Sequence, residues 1–132
     1  MKKIGLLNHQ ISEIIAKMGH TDSIVIADAG LPIPPGVLRI DLALVPGTPG
    51  YVETLRAVLT ELQVEEAVVA AEMEMRNGAA LQSTRALLGA NVRLDMVPHS
   101  EFKALTRNAV AVIRTGECSP YANVILRSGV IF

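Results

Sequence analysis

Short runs of aliphatic, mostly β-branched residues alternate along this chain with segments whose apolar residues repeat at helical spacing. Residues 23–27 (SIVIA) are almost entirely apolar, which is typical of a strand buried on both faces of a sheet. Further strand-like runs occupy residues 40–45, 67–71, 92–97, 110–113 and 124–126. Helical repeats begin after Asn8, at Val52, at Leu81 and after Ser100. This alternation predicts a layered α/β domain with a largely parallel sheet, and 132 residues are enough for one such domain, residues 1–132.

Capping residues give the expected ends of the helices. Asn8 can cap the first helix, and Gly19 is the expected left-handed stop after it. His20 would then follow the C-terminus of this helix directly, where the negative end of the helix dipole favours a charged imidazolium. Ser100 can cap a short helix that carries Phe102 and Leu105.

Charge and composition narrow the classes of partner. Lys and Arg total 12 against 13 Asp and Glu, and aromatic residues make up only 3%, so neither nucleic acid nor an anionic membrane is expected. No apolar run approaches the roughly 20 residues of a membrane span. Cys118 is the single cysteine, and the apolar run after Lys2 and Lys3 is too short for a signal peptide, which favours the cytoplasm. Hydrophobic residues form 50% of the chain, more than a small interior readily hides, so we expect subunit association.

Two histidines and an acid are candidates for acid/base chemistry or polar binding. Asp28 follows the buried strand directly and precedes two small residues, a typical position for ligand contact in α/β sheets. A carboxylate that only caps the next turn is the alternative. His20 and Asp22 precede the same strand and would lie roughly 15 Å from Asp28, so the two ends cannot share a proton or a metal within one chain. His99 follows another strand, and Lys103 is one helical turn further on.

A second polar segment lies near the C-terminus, at Ser119 to Asn123. If it is extended, Tyr121 and Asn123 point to the same side and offer a phenol beside an amide, which suits a polyhydroxylated ligand. A turn with Tyr121 packed at the start of a strand is the alternative. The chain lacks the local spacing of a zinc site, the GxSxG nucleophile motif and both common glycine-rich phosphate motifs. We therefore expect no metal and no cofactor.

Several long blocks resemble the D-ribose pyranase family, which is similar to the L-fucose mutarotases. They are MKK with Leu7 and Asn8, GHTDSIVIADAGLPIP with RIDLAL, His99 with the EFK that follows Ser100, and IRTGECSPYANVIL with the final GVIF. Ser100 stands where the family's HEEFK-like stretch has an acid. Residues 56–96 carry little of the resemblance.

The resemblance implies a three-layer α/β/α fold with a largely parallel or mixed sheet. It also implies that the protein interconverts pyranose and furanose forms of D-ribose, with His20 as proton donor. Asp28, His99, Tyr121 and Asn123 would bind the sugar, and Lys103 is a further candidate. The family's pentameric rings can stack into decamers, with the Tyr-Ala-Asn segment serving a neighbouring subunit's site. Two other readings remain open: a sugar-binding sensor or transport accessory without turnover, and a metal-assisted isomerase or hydrolase assembled across subunits.

Overall fold

The computed structural model describes residues 1–132 and contains five α-helices, a short 3-10 helix and six strands. None of the helices combines the length and apolar character needed to cross a bilayer. The elements in chain order are α1 (His9–Lys17), β1 (Ser23–Ala27), β2 (Leu38–Asp41), α2 (Tyr51–Leu59), β3 (Val64–Ala70), α3 (Glu72–Arg76), α4 (Gly78–Leu88), β4 (Arg93–Val97), α5 (His99–Leu105), the 3-10 helix (Thr106–Asn108), β5 (Ala111–Arg114) and β6 (Val124–Ser128).

All six strands belong to one sheet, in the order β2-β5-β1-β6-β3-β4. β6 pairs antiparallel with both of its neighbours, β1 and β3, and every other pair is parallel. The five remaining strands therefore share one direction. The prediction of a largely parallel or mixed sheet is confirmed in its mixed form.

Strand alternation distributes the apolar side chains between two clusters. Ile24 and Ile26 join the larger cluster, to which α1, α2, α3 and α4 all contribute. Val25 and Ala27 join the smaller cluster with Phe102 of α5. Each fully buried aliphatic or Phe side chain contributes about 1.5–3 kcal/mol relative to an exposed one. The sheet is thus covered by helices on both faces, which confirms the three-layer arrangement.

A buried polar pair connects two helices on the more heavily covered face. The Thr84 hydroxyl donates to the backbone oxygen of Ala80 at 2.8 Å, so its oxygen accepts a hydrogen bond from the Tyr51 hydroxyl, also at 2.8 Å. Both residues are fully buried. Burial raises the pKa of the Tyr51 hydroxyl well above its usual value, and the bond to Thr84 offsets only part of this effect.

The N-cap of α1 is confirmed, but its predicted end is wrong. The Asn8 side chain accepts a hydrogen bond from the backbone N–H of Ile11 at 2.9 Å. At the other end, α1 stops at Lys17, and the left-handed residue is Thr21, with φ of 71°, and not Gly19. The Thr21 N–H donates to the backbone oxygen of Ser128 on β6, and this non-local bond favours the turn at Thr21.

Of the other boundaries that differ from the prediction, two have a clear structural reason. β2 covers Leu38–Asp41 and not residues 40–45, because it pairs with β5, which is only four residues long. α5 begins at His99, so Ser100 lies inside the helix and does not cap it. The cap comes from the Glu72 carboxylate, which accepts the His99 N–H at 2.9 Å. Glu72 belongs to α3, a helix that the sequence pattern did not predict.

Candidate active site

A polar cavity of about 330 Å³ opens at one edge of the sheet. Because only β6 runs in the opposite direction, the carboxyl ends of β1, β3 and β4 meet the amino end of β6 at this edge. Asp28 follows β1, Arg76 lies in the helix after β3, His99 follows β4 and Tyr121 precedes β6. The fold therefore brings together four polar side chains that lie far apart in the sequence.

Asp28 is held in place by hydrogen bonds on both sides of its carboxylate. Oδ1 accepts the backbone N–H of Gly30 at 2.9 Å, and Oδ2 accepts the side-chain amide of Asn123 at 2.9 Å. Asn123 is 1% exposed, and its Oδ1 accepts the backbone N–H of Asp28 at 2.7 Å. Each carboxylate oxygen can accept a further hydrogen bond, so Asp28 both caps its turn and remains an acceptor for a ligand hydroxyl.

Tyr121 has an unusual backbone conformation. Its φ is 57°, in the left-handed region, and its backbone oxygen accepts the N–H of Asn123 at 2.8 Å. The extended alternative, with both side chains on one side, is therefore wrong, and the turn that was the other alternative is observed. The tight turn places the Tyr121 ring against His99, edge to face at 5.0 Å between centroids, while Asn123 is buried behind Asp28.

His99 is fixed from three directions. The backbone N–H of His99 donates to Glu72, its ring is stacked on Phe102 with 6.1 Å between ring centroids, and Tyr121 contacts the ring edge-on. Hydrogen bonds from the backbone N–H groups of Glu72 and His99 lower the pKa of the Glu72 carboxyl, which therefore holds its negative charge at neutral pH. His99 Nδ1 is buried without a hydrogen-bond partner. These contacts leave the ring little freedom to rotate.

Arg76 is a cavity residue that the sequence analysis missed. It lies on α3 four residues after Glu72, so the two side chains share a face of that helix. The Glu-x-x-x-Arg spacing was visible in the sequence, but nothing local placed it beside Asp28. Its guanidinium adds hydrogen-bond donors to a wall that otherwise offers a carboxylate, an imidazole and a phenol.

His20 lies at the opposite end of β1 from Asp28. Five strand residues separate the two ends, so the imidazole and the cavity are roughly 15 Å apart within one chain, as expected. The His20 Nε2 lies 2.9 Å from Oε2 of Glu65, and the side chains are 52% and 42% exposed. Asp22 does not join this pair, because its carboxylate accepts the N–H of Gly19 across the turn at 2.8 Å.

Lys103 does not line the cavity that holds His99. It lies in an adjacent groove of about 490 Å³, which it shares with Pro32, Ser100 and Arg107. Pro32 also lines the smaller cavity, so the two are neighbours. Residues 103 and 99 share a helix face, as the spacing predicted, but the Lys103 side chain belongs to a different surface.

The polar segment 115–119 connects the site to the N-terminus of α2. Glu117 accepts the backbone N–H of Tyr51 at 3.1 Å and that of Ser119 at 3.1 Å, and its own backbone oxygen accepts the N–H of Ala29 beside Asp28. Burial alone would raise the pKa of Glu117, but these hydrogen bonds outweigh it and lower the pKa. Cys118 is exposed in this segment. No group of three or more His, Cys, Asp or Glu side chains is arranged to hold a metal ion.

Comparison with known proteins connects this geometry to a family. The model of the RbsD / FucU transport protein family matches residues 1–131. A D-ribose pyranase from Laribacter hongkongensis is 58% identical over 132 residues and the match covers 100% of both chains. The structure of Bacillus subtilis RbsD complexed with D-ribose is 48% identical, with a TM-score of 0.97 and full coverage of both chains.

A more distant structure shares the fold alone. The fucose mutarotase from Streptococcus pneumoniae, solved in complex with L-fucose, is 22% identical, with a TM-score of 0.75 over 96% of this chain and 95% of its own. The family model that matches residues 1–131 and the 58% identity over the full length agree on one assignment. This chain belongs to the RbsD / FucU transport protein family.

Proposed function

We propose that this chain interconverts the pyranose and furanose forms of D-ribose by acid/base-assisted opening and closure of the sugar ring, in support of ribose catabolism. The observation that carries the proposal is the 58% identity, over the full length of both chains, to a D-ribose pyranase. The close structural match to a protein solved with D-ribose supports the same sugar. The polar groups of the cavity suit a polyol, because a carboxylate accepts hydrogen bonds from hydroxyl groups, while guanidinium and phenol groups donate hydrogen bonds to them.

In the proposed reaction each opening step is reversed by a closing step. A base removes the proton of the anomeric hydroxyl, the electron pair of that O–H bond forms the aldehyde C=O, and the C1–O5 bond breaks. Its electron pair goes to O5, which takes a proton from the His20 imidazolium. In closure, O4 attacks C1, its proton passes to His20 and the aldehyde oxygen regains a proton from the base. The cycle balances without a cofactor.

Asp28, Asn123, His99 and Tyr121 have binding roles in this proposal. The Asp28 carboxylate accepts a sugar hydroxyl, and Asn123 orients it from behind through the two hydrogen bonds described above. His99 and Tyr121 contact other hydroxyls along the cavity wall. Lys103 is assigned a supporting role at the adjacent groove, where it would meet a ligand only as it enters or leaves.

We further propose that each active site is shared between copies of a single-domain chain, residues 1–132, in cytoplasmic pentameric rings that stack into decamers. His20 and the cavity lie at opposite ends of β1, so the His20 imidazole can reach the sugar only from a neighbouring copy. Large apolar side chains that a neighbour could cover are exposed at several points of the surface, namely Ile4, Leu7, Leu38, Leu44, Val45, Met75, Ile131 and Phe132.

Exchange NMR on D-ribose tests the activity. In chelator-treated buffer, the protein should accelerate pyranose–furanose exchange, and His20→Asn should lose about 10²–10⁴-fold of that acceleration, the usual contribution of a general acid. His9→Asn is the matched control, because His9 is exposed at the start of α1, away from the cavity. Ribose binding with exchange at the solvent rate would favour the sensor reading, and loss of exchange with chelator would favour the metal-assisted one.

Mixing two inactive variants tests the shared site. His20→Asn and Asp28→Asn each disable one half, so co-assembled 1:1 mixtures should regain about one quarter of the wild-type sites if neighbouring chains supply the two halves. Sedimentation measurements on the same mixtures report the number of subunits. Monomeric protein with full exchange activity, or mixtures with no recovery after co-refolding, would contradict the shared site.

A further inference from the structure

Glu65 occupies an irregular position in the sheet. In the pairing of β3 with β6, Val64 lies opposite Ser128, and Glu66 lies opposite Arg127. Two steps along β3 therefore match one step along β6, which makes Glu65 the additional residue of a β-bulge. Bulges bend a strand and redirect a side chain, and they occur frequently beside active sites.

The bulge directs Glu65 to His20. The carboxylate oxygen Oε2 lies 2.9 Å from Nε2 of the imidazole, a hydrogen bond that becomes an ion pair when the ring is protonated. The next residue, Glu66, has a different set of partners, since its carboxylate pairs with Arg93 and Arg127. The two adjacent glutamates therefore have different partners. Glu66 pairs with two arginines, whereas Glu65 forms no ion pair with Lys or Arg and bonds His20.

The end of β6 holds both sides of this contact. The Thr21 N–H donates to the Ser128 oxygen at 3.0 Å, which secures the turn that carries His20. The Gly129 N–H donates to the Gln63 oxygen at 2.9 Å, which secures the segment that leads to Glu65. A Cβ on Gly129 would lie only 3.2 Å from Cβ of Glu65, so the backbone at Gly129 packs closely against the Glu65 side chain.

We propose that Glu65 is the positioning residue for His20, and that it makes Nδ1 the nitrogen that exchanges protons with the sugar. This inference rests on the proposed function. A carboxylate has only acceptor atoms, so its bond to Nε2 requires that Nε2 carries hydrogen. In the neutral ring Nδ1 is then the free base, and in the imidazolium the Nδ1 proton is the one available for transfer. Glu65 also fixes the plane of a half-exposed ring, which orients Nδ1.

An ordinary surface ion pair does not account for this arrangement. Exposed pairs contribute little to stability, because water screens them and two side chains lose freedom. The Glu13–Lys17 pair on α1 is such a case, with both residues on one helix and one turn apart. The contact between Glu65 and His20 instead joins two segments that are 45 positions apart in the sequence, one at a bulge and the other at a left-handed turn. It also involves His20, the residue that the proposed reaction requires.

The first test is spectroscopic and does not depend on turnover. In protein with ¹⁵N-labelled histidine, at a pH where the ring is neutral, two-bond nitrogen–proton correlations identify the protonated nitrogen of His20. The wild-type protein should show the Nε2–H form alone. Glu65→Gln should show a mixture of both forms, because a side-chain amide can donate as well as accept. Glu13→Gln, which breaks the exposed pair on α1, should leave the His20 signals unchanged.

The second test separates this role from stability and from binding. Glu65→Gln and Glu65→Ala should lower the maximal exchange rate about tenfold or more, part of the ~10²–10⁴-fold that a general acid supplies. The ribose dissociation constant and the melting temperature should stay close to those of Glu13→Gln. An unchanged exchange rate in both Glu65 variants, or an Nδ1–H form in the wild-type protein, would overturn the inference.

The His20→Asn variant distinguishes failure of the proposed function from failure of the positioning role. If His20→Asn abolishes exchange while the Glu65 variants retain it, the proposed function stands and the positioning role fails. If His20→Asn itself retains full exchange, the proposed role of His20 fails first. Gly129→Ala is a second perturbation, because its methyl group would displace Glu65 without removing the carboxylate. It should also lower the exchange rate.

Discussion

Replacement of Asn123 by Leu gives a sharp test of how the cavity is held together. Asn123 is almost completely buried, and it both donates to the Asp28 carboxylate and accepts the Asp28 N–H. Leu has the same number and branching of side-chain heavy atoms, so the change removes the two hydrogen bonds and creates no large cavity. The variant therefore isolates the polar contribution of this residue.

The expected magnitude follows from the two bonds. The Asp28 N–H is left without an acceptor in a part-buried position, which costs about 1–3 kcal/mol. The Asp28 carboxylate is half-buried and can accept a hydrogen bond from water instead, so the loss of its bond to Asn123 adds less to the destabilisation. We expect the free energy of unfolding to fall by about 2 kcal/mol, and the melting temperature by about 6–10 °C, because 1 kcal/mol corresponds to roughly 3–5 °C at this chain length.

Denaturant unfolding at a fixed protein concentration measures the stability, and calorimetric titration with D-ribose measures binding. Affinity for ribose should fall about tenfold or more, because Asp28 loses the partner that orients its carboxylate. Asn108→Leu is the control, since Asn108 is exposed and far along the chain from Asp28. A free energy within about 0.5 kcal/mol of the wild type, together with unchanged ribose affinity, would refute the reasoning.

Three further experiments test other parts of the structure. Gly116→Ala places a methyl group 2.4 Å from the backbone oxygen of Thr48 and should cost about 1–3 kcal/mol or more, whereas Gly78→Ala, with open space around it, should not lower the melting temperature. The pKa of Glu117 is lowered below 4.5, so the ionised carboxylate stabilises the fold above pH 4.5, and this stabilisation is lost as the pH falls through the lowered pKa. Glu117→Gln should therefore make the urea midpoint decline less steeply in acid. Thr84→Val should destabilise more than Tyr51→Phe, by about 1 kcal/mol, because Val leaves the buried Tyr51 hydroxyl without an acceptor, while Phe leaves the Thr84 bond to Ala80 intact.

Local sequence signals predicted the parts of the fold that local chemistry decides. The apolar run at β1 and the N-cap at Asn8 are confirmed. Asp28 at the end of β1 could be singled out because strand ends in α/β sheets carry ligand contacts. Each of these signals needs only a few neighbouring residues.

The errors arose where distant residues determine the local structure. The turn after α1 is left-handed at Thr21 because β6 accepts its N–H, and the start of α5 depends on a carboxylate 27 positions earlier. The bulge at Glu65 likewise depends on the pairing of β3 with β6. Periodicity within a short window carries no information on such partners, so the pairing of Glu65 with His20 could not be predicted from sequence.

The position of β6 has a consequence for how the chain can fold. β6 follows every other strand in the sequence, but it lies in the middle of the sheet, between β1 and β3. Until it is in place, the strands form two separate groups, β2-β5-β1 and β3-β4, each with an unpaired edge. A ribosome-bound or truncated chain that lacks β6 therefore has no continuous sheet. It exposes the unpaired backbone groups of β1 and β3, which can pair with other chains. Quality control by proteases and chaperones should act on such fragments.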